Sequence, residues 1–451
     1  MKCNVLIITI DSLRADKCFG SKKTATTPNI DGLIKNGFYF TQAISASDGT
    51  HEALGSMLTG KHPFNHNISV FENHSNAKIN FNELRLNGYH LYATTPDNHF
   101  FQTLTSEFDE KDIVSGRPYL RTFEGFGEKI VTRLSSKKMK EPWIYFTHIM
   151  DLHVSKPIPN ELTDEKYGSD TFDQRLSIID VWIGKILAKI DMEKTLVILS
   201  ADHGEFEPNL DYDIGSVPEL QKTFRGIKSV SPQFMEPVGV KLFISIREKI
   251  RKKRLKKIQQ NMNENDLRRM TERGHDKLYD ECLRIPLVFS GFGIKSSRIV
   301  DQQVRQIDIF PTITEVIGIP QNVSMNGTSL VPFFQEKEMN QLPAYFEGTP
   351  LQNQDQPQLY EKFGKSIGVR TPDYKYYRSR HDSSKNVRLF DLKNDPFEKK
   401  NIAESNPEIV VDMENFLQNI QMTKQSTKTN EKISDDEIVK AKKILGELGY
   451  I

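Results

Sequence analysis

The sequence predicts an α/β protein: a doubly wound, mainly parallel sheet flanked by helices, with a small C-terminal α+β subdomain. Three observations predict it. Residues 4–10 (NVLIITI), 143–148 (WIYFTH), 195–200 (TLVILS) and 285–290 (IPLVFS) are nearly continuous β-branched and aromatic runs of strand length. Such runs suit strands buried on both faces of a sheet. Longer amphipathic stretches lie between them, and strands alternating with helices imply a mainly parallel sheet. Past Gly327-Thr328-Ser329 the texture changes to shorter runs.

The elements follow in order. The run at 4–10 is the first strand. In 28–37 (PNIDGLIKNG), Pro28 suits a first helical turn and Gly37 a C-terminal stop. The stretch 173–190 is a long helix leading into the 195–200 strand. Residues 367–378 and 387–392 read as short antiparallel strands, Asn394-Asp395-Pro396 as a turn and 407–420 as a helix. Residues 421–434 are polar and rich in Lys, Ser and Thr, a linker pattern, and 434–451 reads as a short capped helix. The predicted division is a main domain over 1–335 with an insertion at 206–273, a small-sheet subdomain over 336–420, and a linker with terminal helix over 421–451.

Bulk properties narrow the function. A chain of 451 residues is long for one ordinary domain, and 37% hydrophobic with 27% charged residues is a soluble globular composition. A net charge of +1 argues against a nucleic-acid partner, because phosphate binding usually leaves a basic excess. Cys3, Cys18 and Cys282 make neither a disulfide framework nor a zinc ribbon, and read as idle thiols of a reducing compartment. The apolar run Val5–Ile10 is shorter than a signal-peptide core, Asp11 follows it at once, and no 18 apolar residues stand in a row. The expected location is the cytoplasm, or the periphery of a membrane.

Three strand runs end in polar, metal-competent residues. The first ends at Asp11. The second ends in His148, with Asp151 and His153 beyond it. The third ends in Ala201-Asp202-His203-Gly204-Glu205. Each alone reads equally well as a cap or a surface residue. Parallel strands, however, deliver all three to one edge, and α/β sites form beyond the carboxyl ends of strands.

These clusters belong to a wider pattern. Asp11-Ser12-Leu13-Arg14-Ala15-Asp16, Thr27-Pro28-Asn29-Ile30-Asp31 and Gly37-Phe38-Tyr39-Phe40 resemble the opening of sulfatase-like proteins of the alkaline phosphatase superfamily. Ser56-Met57-Leu58-Thr59-Gly60-Lys61-His62-Pro63 is similar to the segment that follows their nucleophile, and Ser200–Glu205 to their second metal motif. Gly274-His275, Leu278–Glu281, Arg284–Leu287, Asp308–Thr312, Gly327–Leu330 and Leu389–Leu392 continue the resemblance in order over nearly the whole chain.

The resemblance implies a divalent metal (Zn, Mn, Mg or Ca, one or two ions) held by Asp11, Asp202 and His203, with Thr50 close by as nucleophile. Carboxylates and an imidazole suit such ions, which activate a hydroxyl and polarise an ester. True sulfatases carry there a Cys or Ser that becomes formylglycine, followed by Pro and Arg. This chain reads Thr50-His51-Glu52-Ala53-Leu54, and threonine cannot become formylglycine. What remains is attack by the threonine oxygen and a covalent ester, as in the family's phosphodiesterases and phosphoglycerol transferases. The plainer role for Thr50 is a helix N-cap, which is compatible with catalysis.

Other positions carry over less directly. His153 matches a family histidine and reads as a leaving-group contact or as a ligand of a second metal. His275 stands near a family lysine or histidine, and Lys277 near it is a second candidate for substrate binding. Asp151, His153 and His275 together are the candidate second metal site; alternatively both histidines bind substrate oxygens around one ion. Asn98, in Thr95-Pro96-Asp97-Asn98-His99, is a candidate substrate contact where the family's lysine motif is missing. Ser12 replaces the second acidic residue of the opening pair, which removes a carboxylate.

Within the insertion, Arg247–Lys257 (REKIRKKRLKK) is densely basic, and Val240, Phe243, Ile246, Ile250 and Ile258 recur at roughly helical spacing. A basic amphipathic helix over 240–258 would contact an anionic membrane, or else cover the site or a second subunit. The expected substrate is a small-molecule, lipid-linked or glycan-linked phosphate or sulfate ester. The expected reaction is phosphate mono- or diester cleavage by hydrolysis or transfer. The rivals are an atypical sulfatase and a non-catalytic binding protein that keeps the fold.

Overall fold

The computed structural model describes residues 2–66, 68–69, 81–116, 119–153, 164–205, 253, 278–319, 325–348 and 366–422. His275, Lys277, the 240–258 helix apart from Lys253, and the stretch 423–451 lie outside them. The chain divides into two compact units, Met1–Glu205 with Gly274–Ile451, and Phe206–Arg273. The first carries the folds described below.

Its large sheet contains β1 (Asn4–Ile10), β2 (Gly37–Ile44), β3 (His90–Pro96), β4 (Glu110–Val114), β5 (Trp143–Ile149), β6 (Thr195–Ser200), β7 (Arg284–Gly291) and β8 (Arg298–Arg305). The strand order is β4-β3-β5-β1-β6-β7-β2-β8. Every residue of β1, β5 and β6 is buried, as their unbroken apolar runs require. β1 pairs in parallel with both β5 and β6. β7 alone runs antiparallel to its neighbours β6 and β2. The sheet is thus mixed at that point, although β7 has the same apolar texture as the parallel strands.

Helices cover the sheet. Pro28–Lys35 starts with its proline in the first turn, but Asn36 is its C-cap, and Gly37 opens β2 instead of ending the helix. The helix Thr171–Leu187, N-capped by Asp170, matches the expected long helix and buries Leu176, Ile179, Ile183 and Ile186.

The smaller sheet is antiparallel, with order β12-β11-β10-β9, and comprises β9 (Ala344–Glu347), β10 (Ser366–Arg370), β11 (Tyr374–Ser379) and β12 (Arg388–Asp391). The helix Pro407–Met422 packs Met413 and Leu417 into its core. β9 is an addition to the expected elements. It also meets the loop after β2, where the Glu347 N–H donates to the Ala46 carbonyl at 2.9 Å. Among the described residues no helix is long and apolar enough to cross a membrane.

Candidate metal centre and active site

The strand order sets the site. β1 lies between β5 and β6, with Thr9 level with His148 on one side and Ser200 on the other. Chains leaving these three carboxyl ends meet at one edge. Asp11 follows β1, Asp202 and His203 follow β6, and all three are buried. One ligand atom from each lies within 4.8 Å of the others, a spacing a single cation can bridge.

Local contacts hold this set. The Ser12 N–H donates to Asp202 Oδ1 at 3.2 Å, and Ser12 Oγ donates to Asp11 Oδ1 at 2.7 Å. The His203 N–H donates to Asp202 Oδ1 at 2.8 Å. His203 Nδ1 stands 2.7 Å from the Gly204 carbonyl. A carbonyl only accepts, so Nδ1 bears the hydrogen and the lone pair of the neutral ring is on Nε2. That atom is 3.4 Å from Asp202 Oδ2. Gly204 permits the approach of the 278–283 segment: a Cβ there would overlap the Glu281 carbonyl, and its N–H donates to Cys282 O at 2.6 Å.

Thr50 enters from β2. The loop Ser45–Gly49 leads into the helix Thr50–Thr59, whose N-cap is Gly49, so Thr50 is the first helical residue and not the cap. The helix ends on Gly60 at φ 66°, a left-handed conformation suited to glycine. Thr50 Oγ1 lies 3.4 Å from Asp11 Oδ2 and 3.4 Å from His203 Nε2. The amino end of this helix therefore lies at the same place as the aspartate–histidine cluster.

The electrostatics are those of a site short of positive charge. Burial opposes ionisation of Asp11, but the charge of His153, hydrogen bonds from His148 and His153, and His203 outweigh it and hold the carboxyl well below the usual range. Burial and then the Asp11 charge push Asp202 up. Burial would lower His203, yet Asp202 and Asp11 together raise it. Asp202 Oδ2 is buried without a hydrogen-bond partner. An orphaned carboxylate oxygen beside a second carboxylate and an imidazole is the donor set of a divalent cation, so the residues fit one.

The other candidates divide. His153 Nδ1 reaches Asp11 Oδ1 at 3.1 Å and so joins the cluster. Asp151 does not: its carboxylate accepts from the Thr122 N–H at 3.0 and 3.1 Å and from Thr122 Oγ1 at 2.6 Å. The second-ion grouping of Asp151, His153 and His275 stays an expectation, with His275 outside the described residues. Asn98 accepts the Phe101 N–H at 2.9 Å as the N-cap of the helix His99–Leu104, while its Nδ2 is buried without a hydrogen-bond partner. His275 and Lys277 fall outside the described residues.

One contributor, Gln306, was not singled out by the sequence, and His148, read as the polar end of its strand, takes a definite place. Gln306 Oε1 accepts the Ala46 N–H at 3.1 Å, and its Nε2 donates to the Asp202 carbonyl at 2.7 Å, tying the loop before Thr50 to the metal motif. His148 Nε2 lies 3.2 Å from Asp11 Oδ2. Its signal was a histidine one residue from the end of an apolar strand. The Asp308–Thr312 and Gly327–Leu330 motifs instead bind each other, through Thr328 N–H to Asp308 Oδ1 and Leu330 N–H to Thr312 Oγ1, at 2.8 and 2.9 Å.

A mixed sheet that gathers two aspartates, a histidine and a helix-heading hydroxyl at its carboxyl edge defines the sulfatase-like class of the alkaline phosphatase superfamily. The chain belongs to the sulfatase family, a family of ester hydrolases: residues 3–319 match the family model Sulfatase, and 273–425 match N-sulphoglucosamine sulphohydrolase, C-terminal. Arylsulfatase K of Canis lupus familiaris is 27% identical over 176 residues, which are 38% of this chain and 32% of that protein. The match thus spans about a third of the length of that relative. The fold is similar to a 2-O GAG sulfatase, with TM-score 0.64 and 17% identity over 94% of this chain and 93% of that one. It is equally similar to the phosphonate monoester hydrolase of Agrobacterium radiobacter, with TM-score 0.64 and 16% identity over 94% and 96% of the two chains.

Proposed function

We propose that this protein is a metal-dependent hydrolase or transferase that cleaves a phosphate mono- or diester through a covalent Thr50 intermediate. The observation that carries the reading is the placement of Thr50 Oγ1, 3.4 Å from both Asp11 and His203 at the head of a helix. A divalent cation bound by Asp11, Asp202 and His203 would supply Lewis acidity, lowering the pKa of the Thr50 hydroxyl and polarising the ester.

The chain's own residues supply the rest. Thr50 Oγ1, its proton lost to solvent base, attacks phosphorus, and the bond to the ester's alcohol oxygen breaks in line. The first-turn N–H groups of Thr50–Thr59 receive charge on the equatorial oxygens. His153, held against Asp11, protonates the departing alcohol. Water or an acceptor alcohol then attacks phosphorus, and the bond to Thr50 Oγ1 breaks, restoring the hydroxyl. Asn98 Nδ2, buried and without a hydrogen-bond partner, supports a substrate contact. His275 and Lys277 belong to the same proposal as further substrate contacts.

A second reading is direct cleavage of a sulfate ester, favoured by the family match and the arylsulfatase relative. Aryl phosphate, bis-aryl phosphate, aryl phosphonate and aryl sulfate assayed side by side separate the two. Phosphate esters are expected to dominate, with a phosphorylated Thr50 peptide trapped on acid quench. A dominant sulfate rate sinks the first reading. No turnover of any ester by the metal-loaded protein sinks both and leaves a binding protein.

A further inference from the structure

His148 is not one of the three grouped ligands, yet it is fully buried against them. Its ring is pinned at three points. Nδ1 stands 2.8 Å from Thr9 Oγ1 on the neighbouring strand, Nε2 stands 3.2 Å from Asp11 Oδ2, and the Phe101 ring lies against its face at 5.0 Å. Asp11 Oδ2 is the same oxygen that meets the Thr50 hydroxyl.

A carboxylate oxygen only accepts, so the hydrogen of this contact is on Nε2. Thr9 Oγ1, which also lies 3.1 Å from the Thr147 carbonyl, either donates to Nδ1 of the neutral ring or accepts from the imidazolium. In both states the Nε2–H bond to Asp11 stands. On its other side Asp11 Oδ1 is held by Ser12 Oγ at 2.7 Å. Ser12 and His148 therefore grip opposite oxygens and fix the plane of the carboxylate. Groups that hydrogen-bond a ligating carboxylate set its orientation and the affinity of the site.

We propose that His148 is a positioning residue of the metal centre: its Nε2–H aims Asp11 at the cation and at Thr50, and Thr9 aims His148. The inference rests on the metal-centre reading. It assigns the chain Thr9–His148–Asp11 a function across the β1–β5 pair, where two buried polar residues would otherwise only satisfy each other.

The test uses the full chain and a readout independent of turnover: the affinity for Mn²⁺ by competition with a chelator, with far-UV circular dichroism as a check of folding. His148→Leu removes the donor and is expected to weaken Mn²⁺ binding by about 10- to 100-fold. His148→Gln, whose amide offers an N–H at similar reach, is expected to stay within a few-fold of the native chain. Thr9→Val, which keeps the volume and removes the hydroxyl, is expected to show a smaller loss in the same direction. Native affinity in folded His148→Leu, or a His148→Gln loss as large as that of His148→Leu, overturns the inference alone. If His148→Leu does not fold, native affinity in Thr9→Val overturns it. A native chain that binds no divalent ion overturns the metal-centre reading and this inference with it.

Discussion

Ser12 donates its backbone N–H to Asp202 Oδ1 from a left-handed conformation, φ 61°, joining the ends of two adjacent strands. That region costs a residue with a Cβ about 1–2 kcal/mol. Such strain persists only where surroundings over-determine it, commonly at functional sites. Here both the N–H and the hydroxyl of Ser12 are engaged by the two aspartates. Ser12→Gly keeps the N–H bond and removes the strain, so its urea midpoint is expected to match or exceed that of the native chain. Ser12→Val is expected to lose about 2 kcal/mol or more, because a β-branched side chain fits φ > 0 worse. A Gly variant clearly less stable than the native chain would show that the hydroxyl bond to Asp11, not the backbone strain, dominates.

Thr50 and the cation are separable. Thr50→Ala is expected to lose turnover by on the order of 10³-fold or more, with no trapped adduct, since a missing nucleophile leaves only binding and electrostatics. Its Mn²⁺ content is expected to persist, because Asp11, Asp202 and His203 remain. Chelation is expected to lower the melting temperature of native protein: at 100 times Kd a bound ion contributes about 2.7 kcal/mol. A chain whose melting is blind to chelator and to added Mn²⁺ would contradict the fit of the donor set.

Asp151 gives the stability a pH dependence. Burial raises its carboxyl to about 6 from 3.8, only partly offset by the hydrogen bonds of Thr122. Because the folded value is raised, its contribution is complete below 3.8 and is lost as pH rises through about 6. Asp151→Asn keeps an acceptor for Thr122 and does not titrate. Its stability relative to the native chain is expected to grow across that window, by up to about 3 kcal/mol. Urea unfolding from pH 4 to 8 measures this. A gap that shrinks with rising pH would mean that the carboxylate is needed ionised.

The legible parts of this molecule share one physical cause. β1, β5, β6 and β7 are read at sight because both faces are buried, which leaves unbroken apolar runs. Asp11, Asp202 and His203 are legible because each directly follows such a run. β4 (EKDIV) is an edge strand with exposed residues, and β2 and β8 are interrupted by Thr41-Gln42 and Asp301-Gln302-Gln303, so no unbroken apolar run announces them. The direction of β7 leaves no trace in side-chain pattern, since a strand buried on both faces reads alike either way. Gln306 works through backbone groups of Ala46 and Asp202, and Asp151 turned to Thr122; both depend on loop paths that spacing does not encode.

The last prediction concerns the small sheet's attachment. Lys375 Nζ, fully buried on β11, meets Asp280 Oδ1 at 2.7 Å, Glu398 Oε1 at 2.6 Å and the Leu278 carbonyl at 2.9 Å. Arg370 of β10 adds Nη2 to Asp280 Oδ2 at 2.8 Å. Asp280 heads the short helix that runs into β7, so the network couples the small sheet to the strand beside the metal motif. Burial opposes ionisation of Asp280, but Arg370 and Lys375 outweigh it and depress its carboxyl strongly. Removing one partner leaves uncompensated buried charge, which costs about 3–5 kcal/mol. Lys375→Ala is therefore expected to destabilise the chain by that order in urea, and Lys375→Met less than Ala because methionine fills the space. Glu398→Gln added to Lys375→Met is expected to recover part of the loss, since Glu398 loses its ammonium partner whereas Asp280 keeps Arg370. Additive losses in the double variant would mean that the carboxylate and the ammonium act separately.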